Sequence, residues 1–186
     1  MRIFLAVFAP AEGQKAAADV IERLKRPGDD VSWVKRENLH YTLRFMGELG
    51  ESGLERVVMA AREGAGDHAA FRASLGAAGA FPNTRKARVL WLGLAAGGDP
   101  LVALARSVEQ ALRRRGFDAA DRPFKSHLTL GRVRERDQDW SERLAAVSVQ
   151  VPPFLVDRVV VVQSVLSSRG STYTIRAEAM LKHEHD

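Results

Sequence analysis

The sequence predicts an α+β domain in which antiparallel sheets carry helices on their outer faces. Three observations lead there. Strand-like and helix-like segments do not alternate in the regular way a doubly wound parallel sheet requires. The pattern His-x-Thr-Leu occurs twice, as HYTL at 40–43 and HLTL at 127–130, each time in a strand-like run. No linker rich in Pro, Gly or Ser separates the two copies. The expected arrangement is therefore one domain over residues 1–186, built as two lobes around a cleft with one motif in each, as an internal duplication would leave it.

Each element has its own signature. Alternating Ile3, Leu5 and Val7, closed by Pro10, mark a first strand, and EGQKAAADVIERLKR then places Ala, Val, Ile and Leu at helical spacing. After the break at PGDD, VSWVKRENLHYTLRFMG holds two short strands, the second containing the first motif and ending at Gly47. A helix follows from Leu54 to Arg62. FRASLGAAGAFPNTRKARVLWLGLAAG reads as two strands joined at Pro82, Asn83 and Thr84. Asp99 or Pro100 opens another helix, which Gly116 closes. The second motif strand comes directly after DRPFK. A short amphipathic piece to Leu144 precedes FLVDRVVVVQSVLSS and STYTIRAEAML, read as a closing pair of strands.

Composition narrows the chemistry. The 186 residues include no cysteine, so a disulfide framework, a thiolate metal site and a cysteine nucleophile are excluded. That fits a reducing, cytoplasmic setting. The opening MRIFLAVFAP is too short for a membrane span and lacks a cleavage pattern, so no membrane partner is expected. A formal charge of +5, from 28 Lys and Arg against 23 Asp and Glu, favours anionic partners.

On a strand, side chains alternate faces, so His40 and Thr42 share one face while Tyr41, Leu43 and Phe45 take the other. His127 and Thr129 stand likewise against Leu128 and Leu130. Each copy presents an imidazole beside a hydroxyl and anchors itself through apolar neighbours. A lone His-x-Thr is an ordinary polar face, but two copies in comparable strands, each followed by an arginine within five residues, point to a shared site. Two imidazoles across a cleft divide acid and base work near neutral pH. Phosphodiester hydrolysis has that need: one removes a proton from water, the other protonates the leaving oxygen, and hydroxyls with cations hold the non-bridging oxygens. No metal or other cofactor is required. Arg44 falls on the histidine's face by strict alternation, whereas Arg132 falls on the opposite one.

HYTL and HLTL resemble the paired motifs of the 2H phosphoesterase superfamily. VKRENLHYTLRFMGE, AFPNTRKARVLWLG and DRPFKSHLTLGRV, in that order, resemble the RNA 2′,3′-cyclic phosphodiesterases, also called 2′-5′ RNA ligases. The resemblance runs from Arg2 to about Leu181. It implies a bilobal α+β fold with a pseudo-twofold axis and a reaction that opens an RNA 2′,3′-cyclic phosphate to a 2′-phosphate. It further implies His40 as proton donor, His127 as acceptor, and Thr42 and Thr129 as phosphate ligands. The family pattern also places a basic residue near the phosphate at Arg132, which demands a bulge that Gly131 permits. The expected partner is RNA or a nucleotide with a cyclic end, with no obligate protein partner and a monomeric state. Alternatives are another small cyclic phosphate, a 2′-5′ oligoadenylate, or an RNA-binding module without catalysis.

Other features carry less. The arginines of ALRRRG suit a helix C-terminus, and the basic NTRKAR loop is a candidate RNA contact. His68 has no partner motif. His183 and His185 lack a third ligand and are read as a polar tail. Trp33, Trp91, Trp140, Phe4, Phe8 and Tyr173 are candidates for stacking a nucleobase, and the sequence does not separate them.

Overall fold

The computed structural model describes residues 1–134, 138–167 and 170–182. His183 and His185 lie outside the described residues. The chain runs β1 (Arg2–Phe8), α1 (Ala11–Leu24), β2 (Val31–Trp33), β3 (His40–Glu48), α2 (Glu51–Gly66), β4 (Phe71–Phe81) and β5 (Val89–Ala96). It continues through α3 (Gly98–Arg114), β6 (Leu128–Val133), α4 (Ser141–Ala145), β7 (Phe154–Val156), β8 (Arg158–Ser167) and β9 (Gly170–Met180). The turn between β4 and β5 is a short 3₁₀ segment, Thr84–Lys86, in which the Arg85 and Lys86 amides donate to the Asn83 side chain.

All strand pairings are antiparallel, and nine strands link in the order β7-β4-β5-β6-β3-β1-β8-β9, with β2 added to β6. The two motif strands meet at the centre through a single residue pair, Tyr41 with Leu128. In place of the two separate antiparallel sheets expected, one antiparallel sheet runs through both halves and narrows to this seam. We call the half holding β3, β1, β8 and β9 lobe 1, and the half holding β6, β5, β4, β7 and β2 lobe 2.

The lobes are not the two halves of the sequence. Lobe 1 combines the first strand with the last two, while β2 crosses into lobe 2. FLVDRVVVVQSVLSS, read as one strand, divides at Asp157: β7 pairs with β4 in lobe 2, and β8 pairs with β1 in lobe 1. A chain that changes sheets must break its ladder, and Asp157 does so with its carboxylate on Arg158 and its carbonyl accepting from the Leu181 amide.

Helices cover one face only. α2 lies against β8 and β9, α3 against α2 and β3, and α1 against β6. Ile3, Leu5 and Val7 of β1 join the helix-side core, whereas Phe4 and Ala6 join a small cluster with Val160 and Val162 on the other face. β1 is therefore buried on both sides, which accounts for its nearly unbroken apolar run. Burying each such side chain contributes about 1.5–3 kcal/mol. α2 and α3 approach closely at Gly64, where an added Cβ would stand 2.7 Å from the Val108 Cα. The helix-free face is left to build the site.

Candidate active site

Each motif strand carries an extra residue directly after its motif threonine, with a second in β3 at Met46, and the first decides which side chains reach the open face. Ala6 pairs with Thr42 and Leu5 with Arg44, so Leu43 is bulged out of the ladder. In β6, Trp91 pairs with Thr129 and Leu90 with Gly131, so Leu130 is the bulged residue. Both leucines are buried in the helix-side core. A bulge shifts the alternation by one. The equivalent open-face positions are therefore His40 and His127, Thr42 and Thr129, then Phe45 and Arg132.

This corrects the reading of Arg44 and Phe45. Beyond the bulge Arg44 turns to the helix side, where its Nε lies 3.4 Å from Glu109 and its Nη2 donates to the Asp118 carbonyl at 2.8 Å. It does not line the cleft. Phe45, expected in the core, lines the cleft and is 59% exposed. Arg132 reaches the cleft as the bulge argument required, although the extra residue is Leu130 rather than Gly131 itself.

The cleft, about 270 Å³, is lined by both motif histidines, both motif threonines, Arg132 and Lys35, together with Trp33, Asn38, Phe45, Ser171 and Tyr173. Among the described residues, none that lines it is a carboxylate. Because Tyr41 and Leu128 pair in antiparallel sense, His40 stands level with Thr129, and Thr42 with His127. Each imidazole thus has a hydroxyl from its own strand and one from the facing strand nearby.

The two rings are tethered alike. His40 Nδ1 lies 2.7 Å from the Asn38 carbonyl oxygen, and His127 Nδ1 lies 2.7 Å from the Lys125 carbonyl oxygen. A carbonyl only accepts, so Nδ1 carries the hydrogen in both rings and Nε2 is left for chemistry. In neutral His40 that Nε2 accepts from the Thr42 hydroxyl at 2.9 Å. The surroundings differ. His40 is enclosed by Phe4, stacked at 4.9 Å, by Phe8 at 5.2 Å and by the edge of Tyr173 at 5.5 Å. His127 has the edge of Phe81 at 5.1 Å and the charge of Arg132 close by.

Burial pushes the His40 pKa down from 6.5 to about 4; the Asn38 carbonyl opposes this, and the His127 charge adds to it. His127 is lowered too, first by burial and then by the Arg132 charge, against the Lys125 carbonyl. In the free cleft both rings are neutral at physiological pH.

Sequence reasoning missed Lys35, Asn38, Phe45 and Ser171. Asn38 is 9% exposed, and besides its carbonyl contact its amide donates to the Ser171 carbonyl at 2.9 Å, fastening β9 to the loop that holds His40. Its place two residues before the motif histidine, matched by Lys125, was the available signal. Of the candidate aromatics, Trp33 and Tyr173 line the cleft, Phe4 and Phe8 support His40, and Trp140 is fully buried. Arg114 and Arg115 pair with Glu63, and His68 Nε2 meets the Ser107 hydroxyl at 2.7 Å. Among the described residues, no group of three or more His, Cys, Asp or Glu gathers to ligate a metal, and no helix is long and apolar enough to cross a membrane.

The sequence model of the 2′-5′ RNA ligase superfamily matches residues 12–166. An RNA 2′,3′-cyclic phosphodiesterase of Methanothermobacter thermautotrophicus is 33% identical over 94% of this chain and 95% of its own length. One from Thermotoga maritima is 28% identical over 98% of this chain and 96% of its own. Among solved structures, TT0787 of Thermus thermophilus superposes with a TM-score of 0.80 at 29% identity, covering 100% of both chains. LigT of E. coli in complex with 3′-AMP gives 0.74 at 26% identity, covering 97% of this chain and 98% of that one.

Proposed function

The chain belongs to the 2′-5′ RNA ligase superfamily, and from that premise we propose that it hydrolyses RNA 2′,3′-cyclic phosphate ends to 2′-phosphomonoesters. Its relatives are named for cyclic phosphodiester hydrolysis. The observation that carries the reading is the matched tether of the two imidazoles, which turns both Nε2 atoms to a cleft whose described lining holds no carboxylate.

Water attacks phosphorus in line with the 3′ oxygen. His127 Nε2 takes the proton from water as the new P–O bond forms. His40 Nε2–H gives its proton to the 3′ oxygen as that bond breaks. Thr42 and Thr129 donate to the non-bridging oxygens, and Arg132 with Lys35 balances their charge. The products are a 2′-phosphate and a free 3′ hydroxyl, with no metal or other cofactor in the proton traffic.

The division of labour follows from the surroundings. The base must begin neutral, and burial first, with the Arg132 charge added, holds the His127 pKa below its ordinary value. The acid must begin protonated. Burial opposes this in the free cleft, but a bound phosphate anion favours the imidazolium, and the rings of Phe4 and Phe8 stabilise it further. With His127 neutral, its repulsion of a charged His40 disappears. Ligation through a 2′-5′ bond puts a 5′ hydroxyl in the place of water, so the same groups in the same roles serve it when ends are concentrated.

The test is hydrolysis of a cyclic-ended oligonucleotide in excess EDTA, with the product identified as 2′- or 3′-phosphate. His40→Ala and His127→Ala are each expected to lower kcat by about 10²–10⁴-fold. Near-native turnover by either variant would refute the assignment.

A further inference from the structure

Outside the cleft, the open face of lobe 2 carries an aromatic and cationic surface that the proton chemistry does not use. Phe81 pairs with Val89, Val89 with Arg132, and Ser32 with Arg132, so these four form a row across β4, β5, β6 and β2 on one face. Beside it, Trp91 pairs with Thr129 and therefore shares the face of a cleft-lining threonine. The Phe81 and Trp91 rings lie 5.2 Å apart at 37°, both partly exposed. The indole lies flat over Gly79, where an added Cβ would come within 2.4 Å of it. The Lys125 ammonium stands 5.7 Å above the Phe81 ring, and no carboxylate among the described residues pairs with it.

Binding a single nucleic-acid strand requires aromatic faces for bases and cations for the intervening phosphates. This surface supplies both, and Arg132 makes it continuous with the cleft floor. We propose that the open face of lobe 2, formed by Trp91, Phe81 and Lys125, binds the nucleotide that precedes the cyclic end. Its base packs on Trp91 and Phe81, and the phosphate joining it to the terminal nucleoside rests between Lys125 and Arg132. The inference rests on the cyclic-end reading and deepens it: the preferred substrate is a polynucleotide end rather than a cyclic mononucleotide.

The experiment compares 2′,3′-cyclic AMP with a cyclic-ended diadenylate in the wild type, Lys125→Ala and Trp91→Leu. The wild type is expected to favour the dinucleotide by about tenfold or more in kcat/KM, of the order one stacked base supplies. Each variant removes most of that gap; Trp91→Leu leaves cyclic AMP turnover within about twofold, and Lys125→Ala, whose backbone carbonyl still tethers His127, is read as the ratio of the two substrates. In Lys125→Ala the slope of log KM for the dinucleotide against log salt falls by about 0.7. Equal use of both substrates by the wild type overturns the proposal. So does a parallel loss on both substrates, which would mean that these residues act only by holding His127. If the wild type hydrolysed neither substrate, the cyclic-end reading would fail instead. Tryptophan fluorescence titration with the 2′-phosphorylated dinucleotide and with 2′-AMP then decides the platform separately: tighter dinucleotide binding that depends on Lys125 supports it, and equal affinities refute it.

Discussion

Acidification from pH 7.5 to 4.5 is expected to cost this fold stability through His40, and the cost can be worked from the site. The ring titrates near 6.5 when unfolded and near 4 in the folded cleft, with burial the main cause. A lowered folded pKa means that the unfolded chain binds the proton more readily. Stability is therefore full above about 6.5, declines by about 1.4 kcal/mol per pH step below it, and levels off once pH falls through the folded value. Between pH 7.5 and 4.5 the loss is about 2–3 kcal/mol. His127 contributes in the same sense, and the lowered carboxylates of Asp29 and Glu63 add losses as pH falls toward their own range. The comparison that isolates His40 is therefore wild type against His40→Gln. Urea midpoints read by tryptophan fluorescence in phosphate-free buffer should converge as pH falls, the wild type losing about 2–3 kcal/mol more than the variant. Inorganic phosphate should reduce that excess by stabilising the imidazolium. A wild-type-minus-variant difference that stays flat across the range would refute the buried, neutral ring.

Three further outcomes follow from the bulges and the core. Arg132→Gln removes a positive charge beside His127, so the acidic limb of kcat/KM should move to higher pH; an unmoved limb would place the guanidinium elsewhere. Arg132→Ala should raise KM for the cyclic end, whereas Arg44→Ala should leave KM unchanged and lower the unfolding midpoint, since Arg44 serves Glu109 and the Asp118 carbonyl. Gly64→Ala forces a Cβ against Val108 backbone and should destabilise by about 1–3 kcal/mol, while Gly66→Ala, with nothing within 4 Å, should be neutral or gain up to about 1 kcal/mol. Chemical denaturation of the pair measures both.

What the sequence disclosed, and what it withheld, divides along range. Periodicity and turn residues report on neighbours in the chain, and there the strands, helices and motif faces were readable. His40 and Thr42 do share a face, as do His127 and Thr129. The exchange of β2, β7 and β8 between lobes depends on pairings across the whole chain, which local alternation does not encode. The same holds for Ser171 and Tyr173, which reach the cleft only because β9 folds back beside β8 and Asn38 fastens it.

The bulges show why strict alternation misassigned Arg44 yet left the histidines right. His40 and Thr42 precede the extra residue, so their common face is set by the pleat alone. Arg44 and Phe45, after Leu43, are shifted by one. Leu43 and its counterpart Leu130 look like ordinary strand residues, and both are buried where a regular ladder would also bury them. Nothing in their type marks the irregularity. The signal was relational: with the motifs superposed, Arg44 stands where the second copy has Gly131, and Phe45 where it has Arg132. Among the described lining residues, Arg132 is the arginine of the cleft, and the equivalent position of the first motif strand holds Phe45. Burial, with the Arg132 charge added, lowers the His127 pKa, while His40 sits among aromatic rings. The two copies of one motif can therefore do opposite work because the positions following them are not copies.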